Sequence, residues 1–86
     1  MFTTDELSAA TALVHGQMPP TPQYSWPLLN AEAGTEVWVK HENHTPTGAF
    51  KVRGAITFMD WLVRSDPDTR GICTATRGNH GQGQAL

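Results

Sequence analysis

The sequence predicts an α/β fold built on parallel strands. Three observations carry this. A short run, Val37-Trp38-Val39-Lys40, alternates apolar and amphipathic residues, as strands do. A long amphipathic stretch over residues 49–64 follows it. A second apolar, β-favouring run, Ile72-Cys73-Thr74-Ala75, then leads into the glycine-rich segment Thr76–Gly83. Strand, helix, strand and glycine turn in that order is the pattern whose ligands collect at strand carboxyl ends.

Length and charge narrow the field. With 86 residues and a net charge of −2, the chain holds one small domain or part of a larger one, and a core of this size is marginal. The six basic residues form no run, so neither nucleic acid nor an anionic membrane is an expected partner. Cys73 is the only cysteine, which excludes an internal disulfide and agrees with a reducing compartment. The acidic start lacks the order of a signal peptide, and no apolar run is long enough to span a bilayer. A soluble, cytoplasmic protein is expected.

Thr3 and Glu6 have capping-box spacing, and Leu7, Ala10 and Val14, with Leu13 beside them, share one helical face. This predicts a first helix of about three turns ending near Gly16. Prolines at 19, 20, 22 and 27 impose an extended or turning segment. Tyr24, Trp26, Leu28 and Leu29 give it apolar surface that calls for cover. Pro27 suits the first position of a short helix ending at Gly34.

Glu42 to Ala55 reads as a loop running into a helix. Pro46 and Gly48 punctuate the loop, Thr47 or Gly48 serves as cap, and Ala49 opens the helix. Lys51 falls in the first turn, where the helix dipole disfavours a cation. That field, with burial behind Phe50, would favour a neutral amine able to form a Schiff base with an aldehyde. A lysine so placed is more often a solvated surface residue. Val52, Ile56, Met59 and Val63 form one apolar stripe and Ala55, Phe58 and Leu62 its neighbour, so this helix should be largely buried. Gly54 inside it points either to a close approach by a backbone or ligand, or to plain helix packing.

After the polar turn 65–71, Ile72–Ala75 is expected to be a buried parallel strand. In the turn behind it, Gly78 and Gly81 let a backbone approach an anion, with Asn79 and His80 between them. The spacing fits neither a P-loop nor a dinucleotide fingerprint. His15, His41, His44 and His80 lack metal-ligand spacing, so no metal is expected. Another helix is expected to begin near Ala85-Leu86.

Pro46-Thr47-Gly48-Ala49-Phe50-Lys51-Val52-Arg53-Gly54-Ala55, with Glu42-Asn43 ahead of it, resembles the cofactor-lysine segment of the fold-type II pyridoxal-phosphate enzymes (tryptophan synthase beta-like), above all the threonine and serine dehydratases, or ammonia-lyases. Thr76-Arg77-Gly78-Asn79-His80-Gly81-Gln82 resembles their asparagine loop, and Thr21-Pro22 falls where they carry a Thr-Pro. The resemblance covers most of the chain from residue 21 onward.

It implies a two-domain parent with parallel sheets. Residues 1–70 would belong to the large cofactor-binding domain and 71–86 would start the small one. It implies pyridoxal 5′-phosphate as cofactor, a small amino acid as substrate and a homo-oligomeric parent. Lys51 would carry the cofactor and move the substrate's Cα proton. Phe50 would pack on the cofactor ring, and Asn79 would hydrogen-bond its 3′-oxygen. Thr76, Gly78, Asn79 and His80 would surround the substrate carboxylate, with Arg77 a further substrate-binding candidate. The implied reaction is dehydration and deamination of threonine or serine to a 2-oxo acid and ammonia. A 3-hydroxyaspartate dehydratase or serine racemase-like enzyme is the alternative on the same scaffold. A non-catalytic fragment or binding module is the alternative of another class.

Three positions depart from the family pattern. Ala49 stands where serine is usual, Thr45 where glutamine is common, and Arg77 where a small residue, often serine, precedes Gly-Asn-His. In racemases of this kind that serine is a second proton carrier. The family's later phosphate-gripping glycine loop is absent, so the chain is expected to be an N-terminal piece, inactive alone.

Overall fold

The computed structural model describes residues 1–86, arranged as four α-helices, a two-stranded ribbon and one 3-10 turn. Helix α1 spans Thr4–Gln17. Its start is the expected capping box: the Thr3 hydroxyl accepts the Glu6 amide, and the Glu6 carboxylate accepts the Thr3 amide, both at 3.1 Å. The helix runs through Gly16 and stops at Met18, whose amide closes on the Val14 carbonyl. Pro19 and Pro20 allow no further turn.

Strand β1 (Gln23–Ser25) pairs with β2 (Trp38–Lys40) in antiparallel register, Tyr24 facing Val39. Between them, α2 (Pro27–Ala33) starts on Pro27 and ends at Gly34, which takes the left-handed cap conformation with φ 69°. Asn30 ties these pieces together, donating to the Ser25 hydroxyl at 2.8 Å and accepting the Val37 amide at 2.7 Å. On the ribbon's edge, the Trp26 indole donates to His41 Nε2 at 3.0 Å.

A 3-10 turn at Glu42–His44 leads to the loop before α3 (Lys51–Ser65). Neither Thr47 nor Gly48 caps this helix and Ala49 does not open it. The Thr45 hydroxyl instead bonds both the Ala49 amide (2.9 Å) and the Ala49 carbonyl (2.7 Å), while the Gly48 amide closes on the Thr45 carbonyl. That tight turn, with Gly48 at φ 72°, holds Ala49 outside the helix and leaves Phe50 at the cap position.

Helix α4 (Asn79–Ala85) starts six residues earlier than the sequence predicts, inside the glycine segment itself. The Thr76 hydroxyl accepts the amides of Gly78 and Gly81, each at 3.0 Å, and so supplies the cap that a glycine at position 78 cannot.

Helix α3 is the hub: α1 packs on one side of it and α4 on another. The core is small. Val14, Met18 and Val52 form it, with Ile56 packed alongside. Val52 is fully buried, worth on the order of 2 kcal/mol. Of the two apolar stripes only Val52 and Ala55 are buried; Phe58 and Val63 stay exposed, so α3 is not the largely buried helix predicted. Tyr24, Trp26, Leu28 and Leu29 are also exposed.

The predicted parallel strand at Ile72–Ala75 does not form. A strand needs a neighbour with free backbone groups. The only sheet here is the two-stranded antiparallel ribbon, which pairs with itself. Gly54 does not meet another backbone: a Cβ there would find nothing within 4 Å. The glycine that permits close approach is Gly83, where a Cβ would lie 3.0 Å from the Ala55 Cβ. No helix is long and apolar enough to cross a membrane.

Candidate active site

The packing of α4 on α3 brings the glycine segment over the start of α3, where Lys51 stands. Two clefts open there, and Lys51 and His80 line both. One, about 520 Å³, joins Lys51 to Thr76, Arg77, Gly78, Asn79 and His80. The other, about 600 Å³, is more apolar and carries Phe50, Phe58, Ile72 and Cys73 beside Lys51 and His80. Every candidate site residue named from the sequence therefore lies on one or the other.

The chain contains two lysines, and they differ sharply. Lys40 is engaged: its amine reaches the Thr21 carbonyl at 3.5 Å and the Glu42 carboxylate at 3.9 Å. Lys51 makes no hydrogen bond or ion pair, and its Nζ stands 5.3 Å from the centroid of the Phe50 ring. Phe50 is 60% exposed and does not bury that amine, contrary to expectation. What singles out Lys51 is its lack of competitors, together with its seat between two clefts.

The loop opposite is partly committed. Thr76 takes the Gly78 and Gly81 amides, and the Gln82 amide bonds the Gly78 carbonyl. The Asn79 and His80 amides, in the first turn of α4, have no partner in the chain. A Cβ on Gly81 would fall 2.6 Å from Thr76 Cγ2, so only glycine lets the threonine sit under the turn. In the apolar cleft, Gln84 also presents a buried Oε1 with no partner.

A cluster behind the site was not foreseen. Arg53, two residues past Lys51, donates from Nε to Glu42 Oε2 at 2.6 Å and from Nη2 to Glu42 Oε1 at 2.9 Å. The buried Thr21 hydroxyl also donates to Glu42 Oε1 and accepts from Arg53 at 3.3 Å. The Arg53 hydrogen bonds hold the Glu42 carboxyl at about 2, against the opposing effect of burial, with Thr21 and Lys40 adding to the lowering. Glu42 in turn raises Arg53. Thr21, Glu42 and Arg53 all lie in or beside the motifs, but a link across 32 residues leaves no local signal.

Comparison with known proteins decides the family. Residues 14–86 match the model of the pyridoxal-phosphate dependent enzymes. The chain belongs to that family. Among its relatives is the L-threonine dehydratase biosynthetic IlvA of Corynebacterium glutamicum, 34% identical over 93% of this chain and 18% of the relative. An L-threonine ammonia-lyase of Geobacter sulfurreducens is 46% identical over 67% of this chain and 14% of its own length. The L-threo-3-hydroxyaspartate ammonia-lyase of a Pseudomonas species is 43% identical over 77% of this chain and 20% of its own. The chain thus spans a fifth or less of the length of these relatives. No solved structure matches it.

The residues present fit the family's cofactor. An uncommitted primary amine is what an aldehyde-bearing group requires, and the adjoining cleft offers an aromatic ring and apolar walls to a planar heterocycle.

Proposed function

We propose that this chain is the N-terminal part of a pyridoxal-phosphate dependent ammonia-lyase that converts threonine or serine to a 2-oxo acid and ammonia. The observation that carries the reading is the unpaired amine of Lys51, facing the Thr76–His80 loop across one cleft. The names of the relatives support the choice of reaction.

Lys51 would hold the cofactor, Phe50 would pack against its ring, and the Asn79 side chain would reach its 3′-oxygen. When bound, the cofactor supplies an electron-withdrawing ring that makes the Cα–H of an attached amino acid acidic. The chain's own residues do the rest. The free Asn79 and His80 amides orient the substrate carboxylate, with Thr76 and Gly78 shaping the turn beneath it. Lys51 would accept the Cα proton on its own face, and the ammonium so formed would return a proton to the departing β-hydroxyl, which leaves as water. The Glu42–Arg53 pair ties the preceding loop to the first turn of α3, the turn that carries that amine.

The same reading divides the full-length protein near residue 70. The stretch from Asp66 to Gly78 contains neither helix nor strand, which supports a passage between two parallel-sheet domains there. It also takes the parent to be a cytoplasmic homo-oligomer, as the family resemblance implies.

The test is turnover by the full-length protein. Threonine and serine should give 2-oxo acid and ammonia in equal amounts, and Lys51→Ala should lower kcat by about 10³-fold or more. Full activity in the variant would exclude Lys51 as the base.

A further inference from the structure

We propose that the Trp26–His41 pair is a proton-sensitive latch on the β1–β2 ribbon, closed while the imidazole is neutral and released when it takes up a proton. The pair joins two turns of the chain. Trp26 stands at the start of α2, and His41 at the start of the 3-10 turn. The register sets Tyr24 opposite Val39, on the face that alternation also gives to His41. The His41 amide adds a last rung to the ribbon by donating to the Pro22 carbonyl at 2.9 Å. Four rings gather on this face. Tyr24 and Trp26 meet edge to face with centroids 5.5 Å apart, and His41 lies 5.6 Å from Tyr24 and 5.7 Å from Trp26. The His44 ring stands 6.1 Å from that of His41.

The hydrogen bond settles which form of the imidazole closes the latch. An indole N–H can only donate, so His41 Nε2, 3.0 Å away, accepts and the ring's own proton sits on Nδ1. A protonated imidazole is a donor at both nitrogens and has no lone pair to offer. A proton on Nε2 therefore breaks the bond and turns two N–H groups against each other. Imidazole is the side chain that changes charge between about pH 8 and pH 5. His44 adds to the effect, because with both rings protonated two positive charges face each other across 6.1 Å. Tyr24 and Trp26 are the other rings facing His41, and Lys40 and Glu42 flank it in the chain. Glu42 is the one acid among these groups, and its carboxylate is already taken by Arg53, Thr21 and Lys40. The rings are partly exposed, so solvent protons reach them.

The experiment uses the full-length protein carrying fluorotryptophan, with the Trp26 resonance identified by its loss in Trp26→Phe. Wild type is compared with His41→Gln, which keeps an acceptor oxygen that does not titrate, and with His41→Phe, which keeps a ring and has no acceptor. Circular dichroism confirms that each is folded across the range. Two readouts are followed from about pH 8 to about pH 5. The first is the fluorine shift of Trp26. The second is hydrogen–deuterium exchange over residues 22–26 and 37–41, corrected for the intrinsic pH dependence of exchange. In the wild type the resonance should move through one proton-binding step, and the ribbon's protection should fall by about fivefold, the worth of one hydrogen bond. In His41→Gln both should stay constant with pH. In His41→Phe the ribbon should exchange at the wild type's acid rate even at the alkaline end. A Trp26 resonance that does not move, or that moves alike in wild type and His41→Gln, overturns the proposal. So does a moving resonance with unchanged protection, which reduces the bond to a surface contact that holds nothing.

Discussion

Arg53 grips the Glu42 carboxylate with two of its nitrogens, Nε at 2.6 Å and Nη2 at 2.9 Å, and both side chains are about three-quarters or more buried. Through this pair the loop after β2 is fastened to the first turn of α3, and Thr21 fastens the segment before β1 to the same point. Lys51 stands two residues ahead of Arg53, in the same turn of α3.

The pair has a pH signature. Glu42 is lowered from 4.5 to about 2 in the folded chain, so between those values the unfolded state binds the extra proton. Its contribution to stability is complete above about pH 4.5, falls as the pH drops and is gone near pH 2. We expect Glu42→Gln to cost on the order of 2 kcal/mol at pH 7 in the full-length protein, and the gap from wild type to close as the pH approaches 2. Urea midpoints measured along that range check this. A gap that is constant with pH would show that the carboxylate's charge is not what matters.

Two glycines of the helices separate packing from propensity. Gly83→Val places bulk against Ala55 Cβ, 3.0 Å from where Cβ begins, and against the Lys51 carbonyl at 3.5 Å. It should cost about 1–3 kcal/mol and reduce turnover, because α4 and its loop must move away from Lys51. Gly54→Ala meets nothing within 4 Å and should stabilise by up to about 1 kcal/mol. Chemical denaturation of both variants is the measurement, and equal damage from the two would contradict the packing described.

How much of this was legible in the sequence depends on range. The Thr3–Glu6 box, the Pro27–Gly34 helix and the position of Lys51 in a first turn follow from neighbours a few residues apart, and the structure has all three. The Ile72–Ala75 strand failed because β-favouring residues do not supply a pairing partner. Gly54 was singled out over Gly83 because sequence does not say which face of α3 meets α4. The two motifs were plain, but that the Thr76 hydroxyl would consume two of the loop's amides was not. Thr45 stood out only as a departure from the family pattern, whereas its side chain decides where α3 begins.

Racemisation offers a further prediction. Reprotonating Cα on the face away from Lys51 needs a second acid–base group, and a guanidinium does not act as one near neutral pH. With Arg77 on the cleft wall, the full-length enzyme given L-serine should form pyruvate without D-serine above the uncatalysed background. Chiral chromatography of the reaction mixture checks this, and steady accumulation of D-serine would show that another residue carries the second proton.

The central claim is that Lys51, and not the engaged Lys40, is the amine that carries the cofactor. Borohydride reduction of the full-length holoenzyme, followed by digestion and mass spectrometry, tests it directly. We expect the reduced pyridoxyl phosphate group on the peptide containing Lys51, no such adduct on Lys40, and none on either peptide in Lys51→Ala. An adduct on Lys40 or on a lysine outside this chain, with Lys51 unmodified, would contradict it.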